Sequence, residues 1–278
     1  MEFEGSLFTY YEPGRLTAFE SGPKDSSKTV VFVGGLGDGF NAVPFLVPLN
    51  KTLNEAGWSL IQVYLSSSYS GYGISNLQKD TKELDYLVRF LCEKRGKSTI
   101  VFLGHSTGSQ DCYWHNKYGE TRDRITGYIL QAPVSDREYM QKCMPDYQKM
   151  LRIAKEMRAQ GKGQHLMPIV DDTPITADRY YSLAAFGGDD DVFSSDLPDD
   201  VLEKLYSGVE RPMMLVHGSA DECFPDNVSM LDLLERFKSF SPAIKRIEVI
   251  PDGDHCYTDK DAQQQLISVV MSFLDTIA

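Results

Sequence analysis

The chain has 278 residues, of which 42% are hydrophobic and 24% charged, and its formal net charge is −12 at pH 7. This composition is typical of a globular protein with one large core, with or without an inserted lid. The acidic balance argues against nucleic-acid binding, which needs clustered lysine and arginine. There is no apolar run of about 18 residues to span a membrane, and the first residues lack the features of a secretory signal.

The cysteines indicate the compartment and argue against a metal. There are five, none forms a Cys-x-x-Cys pair, and they are Cys92, Cys112, Cys143, Cys223 and Cys256. An odd number at low density is typical of reduced thiols, so we expect a cytoplasmic protein. The histidines and cysteines show no zinc-ligand spacing, so we expect neither a metal nor another cofactor.

The first half of the chain alternates strands and helices. Two short strands at residues 7–11 and 16–19 predict a hairpin. A continuous apolar run at residues 29–33 predicts a strand buried on both faces, as in a parallel sheet. Further strands are predicted at residues 58–65, 99–103 and 125–131, and helices at residues 43–56, 76–94 and through 110–114.

The alternation stops between residues 136 and 210 and then resumes. This segment predicts helices at residues 139–159, 177–185 and 199–206, but no strand. Strands at 213–217 and 246–250 and helices at 227–237 and 262–276 complete the chain. Alternation of this kind predicts an α/β fold with a mostly parallel sheet flanked by helices. We expect a core of residues 1–135 and 211–278, with a helical lid of residues 136–210 inserted after the sixth strand.

A serine nucleophile is predicted in the run GHSTG at residues 104–108. A serine hydroxyl on this kind of fold is presented at a sharp strand-to-helix turn, and small residues two positions before and after it let the backbone bend. The pattern alone would arise by chance in roughly one chain in ten of this size. Its position after a buried strand and before a helix makes Ser106 a candidate catalytic residue.

The partners of such a serine follow in the order acid, then histidine. Asp221 follows the strand at residues 213–217, and His255 follows the last strand. Asp226 is the competing acid, although a helix N-cap explains it better. The other histidines are placed less favourably for a general base; they are His105, His115, His165 and His217.

A glycine-rich loop, GGLGDG at residues 34–39, follows the first buried strand. Its spacing fits neither a dinucleotide-binding fingerprint nor a Walker loop. We therefore expect it to help form an oxyanion hole, which needs backbone N–H donors. The predicted donors are the N–H groups of Leu36 and Thr107.

Two loops are candidates for substrate contact. The loop at residues 66–73 follows a strand and so opens toward the active-site face, although a plain connecting loop is the alternative. Within it Ser66, Tyr69 and Tyr72 are candidate contacts, together with Gly35. The acidic loop at residues 187–196 is either a solvated loop or, through Asp190, a recognition element for a cationic or metal-bearing substrate.

The motifs resemble those of a known family. The serine turn, acid and histidine resemble the α/β-hydrolase superfamily over nearly the whole chain. More narrowly, the chain resembles the family that includes fungal fusarinine C esterases, in GGLGDG at 34–39, GHSTGSQD at 104–111, ITADRY at 175–180 and residues 187–196. The resemblance implies an intracellular esterase acting on hydroxamate siderophore esters, with Ser106, Asp221 and His255 as its triad.

The predicted function is hydrolysis of a small-molecule carboxylic ester through an acyl-enzyme. Haloalkane dehalogenases and epoxide hydrolases of this fold need an aspartate in place of Ser106. Two alternatives stay open. One is a binding or receptor protein whose triad is nearly silent, and the other is a thioesterase or acyltransferase, which would share the acyl-enzyme.

Overall fold

The computed structural model of the protein describes residues 1–168 and 173–277. Its strands form one sheet. They are β1 (Ser6–Tyr11), β2 (Leu16–Ser21), β3 (Lys28–Val33), β4 (Ser59–Val63), β5 (Thr99–His105), β6 (Gly127–Gln131), β7 (Met213–Gly218) and β8 (Ile244–Ile250). Their spatial order is β1-β2-β4-β3-β5-β6-β7-β8. β2 pairs antiparallel with β1 and β4, and the other pairs are parallel.

Helices cover both faces of this sheet. They are α1 (Leu46–Glu55), α2 (Leu77–Arg95), α3 (Gly108–Tyr118), α4 (Asp136–Cys143), α5 (Tyr147–Ala159), α6 (Ala177–Ala184), α7 (Asp199–Tyr206), α8 (Met230–Phe240) and α9 (Lys260–Ile277). One core lies under α1 and α9, and a second lies under α2, α3, α7 and α8. The prediction of a mostly parallel sheet flanked by helices is confirmed.

The central strands are apolar throughout because both of their faces are buried. In β3, Val30 and Phe32 face the core under α1, whereas Val31 and Val33 face the opposite core. This alternation follows from the two-residue period of a strand. Burial of each such side chain contributes roughly 1.5–3 kcal/mol, and it fixes the register that brings the carboxyl ends of the parallel strands to one edge.

Among the residues that the structure describes between β6 and β7, there are four helices, α4 to α7. The expected single helix over residues 139–159 is wrong. Pro145 lies between α4 and α5, and proline cannot continue a helix because it lacks an N–H and its ring clashes with the preceding turn. α4 also begins earlier than expected, since Ser135 caps it by accepting a hydrogen bond from the N–H of Glu138 at 3.1 Å. The lid predicted at residues 136–210 includes residues 169–172, which lie outside the described residues.

Two other boundaries differ from expectation. A 3-10 helix, Tyr69–Gly73, occupies the predicted loop after β4. α8 begins only at Met230, because Ser229 caps it and not Asp226. Asp226 instead lies 2.7 Å from the ammonium of Lys142. None of the described helices has the length and apolar character needed to cross a membrane.

Candidate active site

Ser106 lies at the turn between β5 and α3 with a left-handed backbone, φ +53°. This conformation is unfavourable for a residue with a Cβ, so the surrounding chain must hold it. The two flanking glycines explain how the turn closes. A Cβ on Gly104 would collide with the carbonyl of Gly108, and a Cβ on Gly108 would collide with the carbonyl of Val33. The strained, partly exposed serine has the backbone geometry of a nucleophile turn.

A carboxylate and an imidazole meet at the same edge of the sheet. Asp221 follows β7, and His255 lies in the loop after β8. Nδ1 of His255 is 2.9 Å from Oδ1 and 3.0 Å from Oδ2 of Asp221. The backbone N–H of Cys223 donates to Oδ1 of Asp221 at 2.9 Å, and Nδ1 of His217 lies 3.4 Å from its Oδ2. The N–H of Cys223 therefore holds the carboxylate of Asp221, which in turn orients His255.

These contacts set the charges of the pair. Burial alone would raise the pKa of Asp221, but its hydrogen bonds with His217 and His255 outweigh burial and lower it. Burial alone would lower the pKa of His255, yet the hydrogen bond with Asp221 and the neighbouring Cys223 thiol raise it above its ordinary value. Asp221 is thus ionised at neutral pH and makes His255 a stronger base.

His105 and Gln131 form a buried support beneath this pair. The ring of His105 lies 5.0 Å from that of His255, and its Nδ1 is 2.5 Å from Oε1 of Gln131. Nε2 of Gln131 donates to the carbonyl of His255 at 3.2 Å. Burial, then the proximity of His255, lowers the pKa of His105 to about 4, so this ring is neutral. The sequence reasoning missed Gln131, whose place at the end of β6 is the one signal it offered.

The glycine-rich loop packs against the serine. Oδ2 of Asp38 accepts a hydrogen bond from the N–H of Gly35 at 2.7 Å, which fixes the start of the loop. Leu36 and Thr107 both line a cavity of ≈ 20 Å³. Within residues 1–168 and 173–277, neither of their N–H groups has a hydrogen-bond acceptor. This arrangement leaves two backbone donors available beside Ser106.

The predicted substrate contacts have different surroundings. Gly35 and Tyr72 line the cavity beside Leu36. Ser66 instead donates to Oε1 of Glu83 at 2.5 Å, and the hydroxyl of Tyr69 accepts a hydrogen bond from the N–H of Phe40 at 3.3 Å. Ser66 and Tyr69 therefore hold the loops around the cavity, and their contact with substrate stays a prediction.

Asp190 belongs to a buried ion pair. Its Oδ2 lies 2.6 Å from Nη1 of Arg179 and accepts a hydrogen bond from Ser182 at 2.5 Å, and the residue is 1% exposed. Nε of Arg179 donates to the carbonyl of Tyr72 at 3.1 Å. The idea of a solvated loop is thus wrong for Asp190. Its direct contact with substrate stays a prediction, while the geometry shows it positioning Arg179.

A larger cavity of ≈ 280 Å³ adjoins Leu36 beneath α4 and α6. Its lining is largely apolar, with a few polar groups, as is usual for small-molecule sites. Residues that line it include Tyr72, Asp136, Met140, Met144, Ile175 and Leu183.

Three potential metal ligands also meet here. One donor atom from each of Asp221, Cys223 and His255 lies within 4.8 Å of the other two. Because Asp221 and His255 already bond to each other, we interpret the group as an acid–base pair with an adjacent thiol.

Comparison with known proteins shows which proteins the chain as a whole is similar to. Fusarinine C esterase sidJ of Aspergillus fumigatus is 30% identical over 98% of this chain and 96% of its own length. Esterase AN6793 of Emericella nidulans is 29% identical over 84% of this chain and 80% of its own length. The solved structure of siderophore hydrolase EstB from Aspergillus fumigatus matches with a TM-score of 0.83 and 28% identity, covering 100% of this chain and 98% of that chain.

These similarities confirm the predicted α/β-hydrolase fold and, at the level of reaction class, the predicted esterase. The family model described as "protein of unknown function (DUF1749)" matches residues 1–275. The chain therefore belongs to that family.

Proposed function

We propose that the protein hydrolyses a carboxylic ester with Ser106 as nucleophile, His255 as general base and Asp221 as its orienting acid. The observation that carries this proposal is the contact of 2.9 Å between His255 and Asp221, at the sheet edge where the strained Ser106 follows β5. The order serine, acid, histidine along the chain supports the same roles.

The mechanism follows from these positions. His255 takes the hydroxyl proton as the oxygen of Ser106 attacks the ester carbonyl, and Asp221 stabilises the imidazolium that forms. The N–H groups of Leu36 and Thr107 stabilise the oxyanion. The imidazolium then protonates the departing alcohol, which leaves an acyl-enzyme. His255 next takes a proton from water, which attacks the acyl carbon and releases the acid and the free serine.

We propose a siderophore-type hydroxamate ester as the substrate. Two relatives named for siderophore chemistry support this, since both match almost the full length of the chain. The cavity of ≈ 280 Å³ beside Leu36 provides space for part of such a molecule. Helices α4 and α6 cover this cavity, which supports the proposal that residues 136–210 act as a lid.

We also propose a cytoplasmic location. All five cysteines are free thiols in the structure. Partly exposed thiols such as Cys223, close to His255, favour a reducing compartment over an oxidising one.

A panel of esters with graded acyl size, including fusarinine C, tests the proposal. We expect turnover by the wild type and a loss of about 10³-fold or more in Ser106→Ala, with the fold retained. Binding of an ester without hydrolysis would instead support a receptor. Faster product formation with an added alcohol, giving a new ester, would support an acyltransferase.

A further inference from the structure

We propose that the small cavity beside the oxyanion donors binds a primary ammonium group of the ester substrate, held by the carboxylates of Asp111 and Asp80. The inference rests on the proposed esterase function and names a chemical feature of its substrate. It moves the recognition of a cationic substrate from the acidic loop of Asp190, where the sequence suggested it, to the helices α2 and α3.

The first observation is an unpartnered carboxylate oxygen. Asp111 lies in the first turn of α3, five residues after Ser106, and is 7% exposed. Its Oδ1 is buried and has no hydrogen-bond partner in the part of the chain that the structure describes. Burying a carboxylate oxygen without a hydrogen-bond partner costs free energy, so we expect a donor to bind this oxygen. Asp111 lines the same cavity of ≈ 20 Å³ as Leu36 and Thr107.

The second observation is an excess of buried carboxyl groups over buried cations around this cavity. In the part of the chain that the structure describes, four buried carboxyl groups lie near the buried guanidinium of Arg179; they belong to Asp80, Asp111, Asp136 and Asp190. The buried carboxyl group of Glu83 adds a fifth close to Asp80 and Asp111. Arg179 is already committed to Asp190 at 2.6 Å and to the carbonyl of Tyr72 at 3.1 Å. Arg179 carries a single positive charge and so neutralises only one of these carboxyl groups, although its charge also lowers the pKa of Asp80 and of Asp111.

The pKa values of these carboxyl groups agree with a shortage of neighbouring cations. Burial raises the pKa of Asp111 well above its ordinary value, and the negative charge of Asp80 raises it further. Burial also raises the pKa of Asp80 to about 7, although Arg179 partly opposes this effect. A ligand cation between the two carboxyls would stabilise both in their ionised forms.

Size selects the kind of cation. The cavity between these carboxyl groups and the oxyanion donors is small, ≈ 20 Å³, which favours a compact cation. A primary ammonium head is compact and supplies three donors, whereas a guanidinium or a quaternary ammonium is larger. Because the cavity also touches both oxyanion donors, the ammonium must lie close to the ester carbonyl. Asp80 is fixed for this role by a hydrogen bond from Ser75 at 3.0 Å.

The test compares esters that differ only in this charge. The first pair differs on the acyl side: the benzyl ester of alanine carries an ammonium where the benzyl ester of isobutyric acid carries a methyl. The second pair differs on the alcohol side: 3-aminopropyl isobutyrate carries an ammonium where butyl isobutyrate carries a methyl. For each pair we define the preference as the ratio of kcat/KM for the ammonium ester to that for the neutral ester, corrected by their hydroxide-catalysed rates. We expect one pair to show a preference of about 10- to 100-fold, as charged hydrogen bonds typically supply.

Asp111→Asn should reduce that preference about 10-fold or more, because the amide keeps the shape and removes the charge. Asp123→Asn changes the same charge at an exposed position and should leave the preference unchanged. No preference in either pair, or an undiminished preference in a folded Asp111→Asn variant, overturns the proposal. Asp80→Asn serves as the second variant if Asp111→Asn fails to fold.

Calorimetry on the Ser106→Ala variant measures ester binding without hydrolysis. It therefore tests the ammonium site independently of the proposed catalytic function. The variant should bind the preferred ammonium ester at least about 10-fold more tightly than its neutral partner. If the wild type hydrolyses no ester, the proposed function fails, and this binding ratio alone then decides the ammonium site. Equal binding of the two esters would overturn it.

Discussion

Gly35 packs directly against Ser106: a Cβ on Gly35 would lie 2.8 Å from the Cβ of Ser106. The glycine-rich loop and the serine turn are therefore in contact at a point where no side chain fits. The same Gly35 is held by Asp38 through its N–H at 2.7 Å. The contact sets the distance between the serine and the next N–H along the loop, that of Leu36.

Gly35→Ala should therefore impair catalysis more than folding. The added methyl also meets the carbonyl of His105 at 3.1 Å, so the loop must move away from the serine. We expect kcat/KM for a neutral ester to fall about 100-fold, as small displacements of catalytic groups do. Gly57→Ala is the control. The φ of +79° at Gly57 makes an alanine there destabilising, but no atom from elsewhere in the described residues lies within 4 Å of the added Cβ, so the substitution changes folding stability without a local clash. Equal activity losses in the two variants would contradict the role of the loop.

Asp221→Asn tests which acid supports the histidine. An amide in place of the carboxylate would still fill the space but would not stabilise the imidazolium. We expect kcat to fall by about 10³- to 10⁴-fold, the loss known for this change in serine hydrolases. Asp226→Asn, which changes the exposed partner of Lys142, should leave the rate unchanged. A larger loss of kcat in Asp226→Asn than in Asp221→Asn would contradict this assignment and identify Asp226 as the acid.

The pH dependence of kcat/KM should reflect the protonation state of His255. The base works only when neutral, so kcat/KM for an uncharged ester should rise with pH as His255 loses its proton. Because Asp221 and Cys223 raise the pKa of this imidazole, the rise should lie above the ordinary histidine range. Cys223→Ala removes one cause and should shift the rise to lower pH, whereas Cys92→Ala should not shift it. A profile that is identical in Cys223→Ala would rule out the thiol's influence.

Asp136 should make the fold less stable as pH rises. Burial, followed by the negative charge of Asp190, raises the pKa of this carboxyl to about 8, although Arg179 opposes the shift. The folded state thus binds a proton that the unfolded state has released, and stability falls between the ordinary pKa and the raised one. Asp136→Asn should reduce this fall by at least about 1 kcal/mol in urea unfolding. Asp123→Asn should show the wild-type fall, and an equally steep fall in Asp136→Asn would contradict the assignment.

The sequence predicted the sheet and the chain positions of the site well, because both depend on local patterns. Apolar runs marked β3 and β5, and the residues that follow such strands necessarily meet at one edge. Long-range contacts had no such signal. Nothing near Asp190 in the chain shows that it pairs with Arg179, and nothing near Gln131 shows that it bridges His105 and the loop of His255. The break at Pro145 is different, because a proline is a local signal against the continuous helix predicted over residues 139–159.

Fluorophosphonate labelling followed by peptide mass spectrometry tests the central claim most directly. The account predicts one phosphonyl adduct, on Ser106, and at least about 100-fold slower labelling in Asp221→Asn, because the histidine activates the nucleophile. An adduct on another residue, or wild-type labelling in the Ser106→Ala variant, would contradict it.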